Sequence, residues 1–316
     1  MTTRHLVDPE VAPLIDLMPA GDFTVETLAQ IRSDAEARFA FLGAPPLPAE
    51  IKLIDGPGGP LEIYWYDPAP GTSAAPRPAL LHIHGGGMVM GSARSMQHNP
   101  SGLAAALGIP VASVEYRLAP EHPFPAPQDD CLAALAWLSG NAAALGVDPT
   151  RIGVIGESAG GGLAAAVALM ARDQGGPKLA AQFLIYPMLD HRTGGDACPY
   201  ANPITGEFVW TRRRNVFGWE ALRGDYAPTD ARKGWFSPAL ADDLAGLPPT
   251  WIGTGSLDLF LDEDLAYARR LIAAGVPVEL HSYPGAIHAF NAVAESGIAK
   301  AFNRDLLGAI ARWLAV

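Results

Sequence analysis

Arg151 to Ala171 reads RIGVIGESAGGGLAAAVALMA, a short apolar run that ends in Gly156-Glu157-Ser158-Ala159-Gly160 and passes directly into an alanine-rich helical pattern. That order predicts a strand, a sharp turn and a helix. A G-x-S-x-G turn at such a junction has the form of a nucleophile elbow. The flanking residues must be small because strand and helix nearly touch, and Ser158 is expected in a strained conformation with its hydroxyl exposed. The pentapeptide has a second physical reading, since a glycine-rich loop opening a helix also cradles phosphate. The choice turns on whether partners for a nucleophilic serine follow in the order the turn demands.

Outward from the elbow, short and mostly apolar runs alternate with helical patterns. The runs are Ala79 to Ile83, Pro110 to Val114, Ile152 to Ile155, Phe183 to Tyr186, Thr250 to Gly253 and Val278 to His281. The helical patterns lie near Ser95 to Leu107, Asp129 to Leu145, Gly161 to Arg172, Asp262 to Ala274 and Ile298 to Leu314. Runs buried on both faces and separated by helices predict a mostly parallel sheet covered on both sides, an α/β fold. Ile51 to Leu53 and Leu61 to Tyr66, joined by Gly56-Pro57-Gly58-Gly59-Pro60, read as an antiparallel pair ahead of it.

Two stretches stand outside the alternation. Residues 1–44 carry helical patterns near Glu10 to Met18 and Val25 to Phe41, the second with Asp22 and Thr24 available as caps. Asp196 to Trp235 has no strand of its own. Phe208, Trp210, Phe217, Trp219 and Leu222 predict an amphipathic helix there, with Arg212 to Arg214 mostly on its wet face. Both stretches are expected to form a helical cap over the carboxyl ends of the strands, where α/β sheets take ligands. The chain then divides into 1–44 (first part of the cap), 45–190 (first part of the core), 191–235 (cap insertion) and 236–316 (second part of the core).

Serine is a poor nucleophile at neutral pH, so Ser158 needs a neutral imidazole to take its proton and a buried acid to orient that imidazole. At an elbow of this kind the chain order is Ser, acid, His, the last two leaving the ends of later strands. His288 lies in a loop between the last strand and the last helix, whereas His191 precedes the insertion and His281 lies within a strand. Asp258 is the first acid after the preceding strand; Asp262, Glu263 and Asp264 open the next helix, where the macrodipole explains them structurally. Donors for an oxyanion are offered by His84-Gly85-Gly86-Gly87, which follows a strand, and by the Ala159 N–H next to the nucleophile.

Four blocks carry a resemblance: His82-Ile-His-Gly-Gly-Gly-Met88, Tyr116-Arg-Leu-Ala-Pro-Glu-His-Pro-Phe-Pro-Ala-Pro127, Gly156-Glu-Ser-Ala-Gly-Gly-Gly162, and Asp258-Leu-Phe-Leu-Asp-Glu263 with His288-Ala-Phe290. From about residue 45 onward the chain resembles the hormone-sensitive-lipase-like (bacterial family IV) esterases of the α/β-hydrolase superfamily. The resemblance implies that fold and ester hydrolysis, with Ser158, Asp258 and His288 as triad and Gly86, Gly87 and Ala159 as oxyanion hole. It also makes His84 a support for the glycine loop, with Gly85 and Glu157 as neighbours in the same role. Glu157 stands where the family usually has Asp, Met88 where an aromatic residue is common, and Asp258-Leu-Phe replaces the usual Asp-Pro-Leu. Met88, Phe208, Trp210 and Phe217 are the candidate pocket residues. Tyr116, Arg117 and Glu121 are expected to brace the proline-rich loop as a structural ion-pair cluster. The implied substrates are short- to medium-chain acyl esters; an amidase, an acyltransferase or a non-catalytic receptor on the same scaffold are the alternatives.

Composition narrows the partners. The 316 residues are 49% hydrophobic and carry a net charge of −11, which disfavours nucleic acid because phosphate binding needs a basic surface. Acidic residues interrupt every apolar run of MTTRHLVDPEVAPLIDLM, so no secretory signal or membrane span is expected and the cytoplasm is the default compartment. Cys131 and Cys198 form neither a disulfide framework nor a metal-site spacing. No metal or cofactor is expected, and a homodimer is left open.

Overall fold

The structure, a computed structural model, describes residues 2–17, 21–40, 44–71 and 75–316. Among them, eight strands form one sheet: β1 (Glu50–Gly56), β2 (Gly59–Tyr66), β3 (Arg77–Ile83), β4 (Val111–Val114), β5 (Val147–Glu157), β6 (Ala181–Ile185), β7 (Thr250–Gly255) and β8 (Val278–Tyr283). Their order is β1-β2-β4-β3-β5-β6-β7-β8. β1 and β2 are antiparallel, as the glycine-rich turn between them requires, and β2 is antiparallel to β4. The remaining pairs are parallel. Ile83 stands beside Gly156, Glu157 beside Ile185, and Ile185 beside Gly253, so the carboxyl ends of β3, β5, β6 and β7 meet on one edge of the sheet.

The described helices are α1 (Pro13–Leu17), α2 (Val25–Ala40), α3 (His98–Leu107), α4 (Ala126–Gly140), α5 (Ala159–Asp173), α6 (Arg212–Arg223), α7 (Lys233–Phe236), α8 (Leu261–Ala273) and α9 (Gly297–Leu314), of which α3, α4, α5, α8 and α9 pack on the sheet. Alternation along β5 decides which side each residue serves. Ile152 and Val154 pack with Leu135 of α4, Leu163 of α5 and Leu271 of α8, while Ile155 packs with Phe302 and Ile310 of α9. Every residue of α5 from Ala159 to Ala171 is buried, so this helix is the central one, as an apolar sequence with no wet face requires.

The N-terminal stretch departs from expectation in detail. Its first helix is a single short element, α1, and Met18 and Phe41, at the ends of the two expected patterns, lie outside the described residues. Thr24 caps α2, its Oγ1 accepting the Thr27 N–H at 3.2 Å. Asp22 instead forms an ion pair with Arg213 at 2.9 Å. Phe23 precedes the cap and is buried with Leu28 in one cluster, the positions of a hydrophobic staple.

The insertion holds α6 over Phe217, Trp219 and Leu222 only; Phe208 and Trp210 lie in irregular chain before it, and its arginines are not on one wet face. Arg213 is the exposed one; Arg212 donates to the carbonyls of Thr205 and Asn202, both at 2.6 Å. Arg214 is buried, donates to Val209 O at 2.6 Å and Gly21 O at 2.8 Å, and lies over the Phe23 ring. The irregular chain leading into α6 presents carbonyls that need donors away from water, and the long guanidinium side chains supply them.

Candidate active site

Ser158 joins β5 to α5 at φ 58° and ψ −119°, a conformation costly for any residue with a side chain. The small neighbours are compulsory: a Cβ on Gly156 would stand 2.2 Å from Gly160 O. The Ser158 N–H donates to Ile185 O at 2.8 Å and its carbonyl accepts from Met188 N at 2.9 Å, which ties the elbow to the end of β6. The hydroxyl is not open as expected; Ser158 is only 6% exposed.

Asp258 and His288 leave the ends of β7 and β8 and converge on that hydroxyl. His288 Nε2 lies 3.0 Å from Ser158 Oγ, and His288 Nδ1 lies 2.7 Å from Asp258 Oδ2. The other carboxylate oxygen accepts the Phe260 N–H at 3.0 Å, so Asp258 presents one oxygen to the imidazole and keeps the other occupied. A carboxylate at Nδ1 assigns the proton there and leaves Nε2 free to accept from serine. Tyr186 and Phe260 pack edge-on to the imidazole, at 4.8 and 5.3 Å between ring centres. The Tyr186 hydroxyl donates to Asn291 Oδ1 at 2.7 Å, on the same loop as His288.

Asp262, Glu263 and Asp264 were expected to be first-turn charges, yet Glu263 and Asp264 are fully buried. Glu263 accepts the Leu189 N–H at 2.6 Å and bonds the Thr193 hydroxyl, holding the chain that leaves β6. Burial pushes both carboxyls well above the usual range.

After β3 the glycine loop turns tightly, Gly86 at φ 118° accepting from the N–H groups of Val89 and Met90. A Cβ there would stand 2.0 Å from Met90 O. His84 braces the loop: its ring stacks on Tyr116 with centres 4.1 Å apart, and Nδ1 bonds Gly85 O at 2.8 Å. Burial pushes this imidazole down to about 4, so it is neutral at physiological pH. Gly85 is packed against the backbone of Glu157. The Glu157 carboxylate receives Asn99 Nδ2 at 3.0 Å and meets His82 Nε2 at 3.2 Å. Burial works to raise Glu157, but the His82 imidazole and these hydrogen bonds outweigh it and hold the carboxyl below its ordinary value.

A family model described as the alpha/beta hydrolase fold matches residues 80–292. The chain belongs to that family. It is a hormone-sensitive-lipase-like esterase within the α/β-hydrolase superfamily. It is 36% identical to the carboxylesterase NlhH of Mycobacterium tuberculosis, covering 91% of this chain and 89% of that protein. It is 34% identical to the esterase LipI of the same organism, over 96% and 94%. The solved structure of a bacterial heroin esterase superposes with a TM-score of 0.89 at 38% identity, over 99% of each chain.

In this α/β-hydrolase the four pocket candidates do not form one wall. Trp210 and Phe217 both pack edge-on to Phe23, at 5.8 and 6.3 Å. Met88 is buried in the same cluster, whereas Phe208 is half-buried against the one that contains Tyr186 and Ile287. The proline-rich loop is braced as expected, but not by the expected pair: Arg117 binds Asp130, Glu121 binds Arg32, and Tyr116 donates to His84 O at 2.9 Å. Phe23, Asn99, Tyr186, Asn215 and Phe260 escaped the sequence analysis; only Tyr186, at the carboxyl end of a strand, carried a positional signal. Both thiols are free, and among the described residues no three His, Cys, Asp or Glu side chains gather as a metal-holding group. No described helix is long and apolar enough to cross a membrane.

Proposed function

We propose that this chain is a serine carboxylic ester hydrolase that cleaves short- to medium-chain acyl esters through an acyl-enzyme on Ser158. The observation that carries the reading is the relay Ser158 Oγ, His288, Asp258, with gaps of 3.0 and 2.7 Å and serine and histidine almost out of water. Ser158 Oγ attacks the ester carbonyl as His288 Nε2 takes its proton, and Asp258 steadies the resulting imidazolium. The tetrahedral oxyanion is received by the N–H groups of Gly86, Gly87 and Ala159, the last at the positive end of α5. Collapse expels the alcohol, which takes the proton from His288; a water then repeats the sequence on the acyl group and frees Ser158. No step calls for a cofactor or metal.

The relatives' names, carboxylesterase and esterase, support a small-molecule ester as substrate. Residues 1–44 and 191–235 act as the cap in this reading, with Met88, Trp210 and Phe217 on one side of the pocket beneath it and Phe208 on the side of Tyr186. A cytoplasmic site of action belongs to the same proposal. Exposed Ile272 on α8 and Leu280 on edge strand β8 support a homodimer, which sedimentation-equilibrium centrifugation tests. The deciding experiment is labelling with a fluorophosphonate followed by mass spectrometry, with p-nitrophenyl acetate, octanoate and palmitate as substrates. One adduct, on Ser158, and loss of turnover in proportion to it are expected. An adduct elsewhere, or full turnover after labelling, would overturn the assignment. Adding an alcohol acceptor and an anilide substrate separates hydrolase from acyltransferase and amidase.

A further inference from the structure

Trp210 occupies a place that its sequence context does not explain. Its ring edge lies where a side chain on Gly87 would be: a Cβ there would meet Trp210 Cη2 at 2.1 Å. The ring centre is 6.3 Å from that of His288. The indole therefore spans from the glycine loop to the imidazole of His288, whose Nε2 reaches Ser158 Oγ.

A hydrogen bond, ring packing and its own backbone hold it there. The indole N–H donates to Asn215 Oδ1 at 3.0 Å, and Asn215 is fully buried. Asn215 Nδ2 donates to Thr193 O at 2.7 Å, so its amide has one orientation that satisfies both partners. Phe23 packs edge-on to the indole. Gly218 of α6 lets the indole and the Gly87 carbonyl approach together, a Cβ there standing 2.8 Å from Gly87 O. Val209, immediately before Trp210, is held at φ 62°, a rare conformation for a β-branched residue, and its carbonyl is taken by Arg214. A strained backbone and a buried amide spent on aiming one side chain point to a positional role.

The geometry points to Trp210 as the residue that limits acyl size at the carbonyl, and to Asn215 as the positioning residue that fixes the indole over Gly87. The inference rests on the ester-hydrolase reading above. Asn215 touches no reacting atom; it acts through the indole.

The test is the ratio of kcat/KM for p-nitrophenyl decanoate to that for p-nitrophenyl butyrate, which is insensitive to the fraction of folded enzyme. Trp210→Ala should raise this ratio by about tenfold, the scale on which a pocket discriminates methylenes. Asn215→Leu should raise it in the same direction by about threefold, the worth of one hydrogen bond. In the Trp210→Ala background, where there is no indole to hold, adding Asn215→Leu should leave the ratio unchanged. An unchanged ratio in Trp210→Ala or in Asn215→Leu overturns the assignment, as does a further change when Asn215→Leu is added to Trp210→Ala. Fluorophosphonate uptake distinguishes this from failure of the underlying reading: an unmodified protein that takes up no label removes the esterase mechanism, whereas full uptake with an unchanged ratio removes only the role of Trp210 and Asn215.

Discussion

Gly160, in the first turn of α5, and Ile83, the last residue of β3, approach so closely that a Cβ on the glycine would stand 2.0 Å from the Ile83 carbonyl oxygen. The obstacle is backbone in the middle of the sheet, which cannot move aside as a side chain tip can. Gly160→Ala is therefore expected to cost at least about 3 kcal/mol, the upper end of overpacking penalties. It should also displace Ser158 two residues away and abolish fluorophosphonate uptake. Urea unfolding measures the first effect and labelling the second; a folded, fully labelled Gly160→Ala protein would contradict this account of the elbow.

Ser158 itself combines a buried hydroxyl with strained backbone. Ser158→Ala and Ser158→Gly should both lose about 10⁶ in kcat, the usual cost of removing a triad nucleophile. Their stabilities should differ. Alanine retains the strain at φ 58°, while glycine relieves it, so Ser158→Gly is expected to be more stable than Ser158→Ala by about 1 kcal/mol. Thermal unfolding of the two variants side by side checks the order.

Asp258 keeps Nδ1 of His288 protonated and Nε2 free. In Asp258→Asn the carboxamide can present its N–H₂ to Nδ1, which moves the imidazole proton to Nε2 and leaves no acceptor for the serine. A fall of about 10⁴ in kcat with little change in KM is expected, since the geometry survives and only the tautomer is wrong. Steady-state kinetics read both constants. A large rise in KM with unchanged kcat would place Asp258 in substrate binding instead.

His84 links the glycine loop to acid stability. Its imidazole titrates at about 4 when buried, against an ordinary 6.5 in the unfolded chain. Between those values the unfolded state binds a proton that the folded state does not, so stability falls as pH drops from about 6.5 to about 4, by about 1.4 kcal/mol per pH unit from this residue. Above that window its contribution is constant. His84→Gln should be less stable at pH 8, having lost the stack on Tyr116, but should show a shallower decline through the acid window. Denaturant titrations of both proteins at pH 4.5, 5.5, 6.5 and 8 give the two slopes; parallel slopes would refute the assignment.

Much of this architecture was legible before the structure. Strands β3, β5, β6 and β7 are short apolar runs buried on both faces, and burial on both faces removes the ambiguity of register that a half-exposed strand has. Ser158 and Asp258 were recoverable because each sits just past the end of such a strand, and His288 because it follows the last strand in the order the elbow demands. The contacts that cross the chain were not. Phe23 reads as a local helix staple, and nothing in its surroundings indicates Trp210, nearly two hundred residues later. Arg214 and Glu263 read as surface charges because polarity usually predicts exposure; both are buried, since carbonyls and N–H groups displaced from regular structure need partners away from water.

Arg32 makes another contact of this kind. From the middle of α2 it donates to Val89 O at 2.7 Å and Ala119 O at 2.9 Å, and grips both oxygens of Glu121 at 2.8 Å. Its hydrogen bonds hold the Glu121 carboxyl down at about 2. The carboxylate is half-exposed, so that pair contributes little, whereas the two carbonyls have no ready replacement for their donor. Arg32→Met should therefore cost about 1–3 kcal/mol and Glu121→Gln well under 1 kcal/mol. Because α2 follows directly from Phe23, which packs on Trp210 and Phe217, loosening it should also loosen the indole. Arg32→Met is expected to admit longer acyl chains and to be cut by protease ahead of residue 44 faster than the unmodified protein; deletion of residues 1–40 should carry both effects to loss of solubility and activity. Thermal unfolding, acyl-chain profiles and limited proteolysis measure them. Equal destabilisation by Arg32→Met and Glu121→Gln would mean that the ion pair, and not the carbonyl contacts, anchors α2.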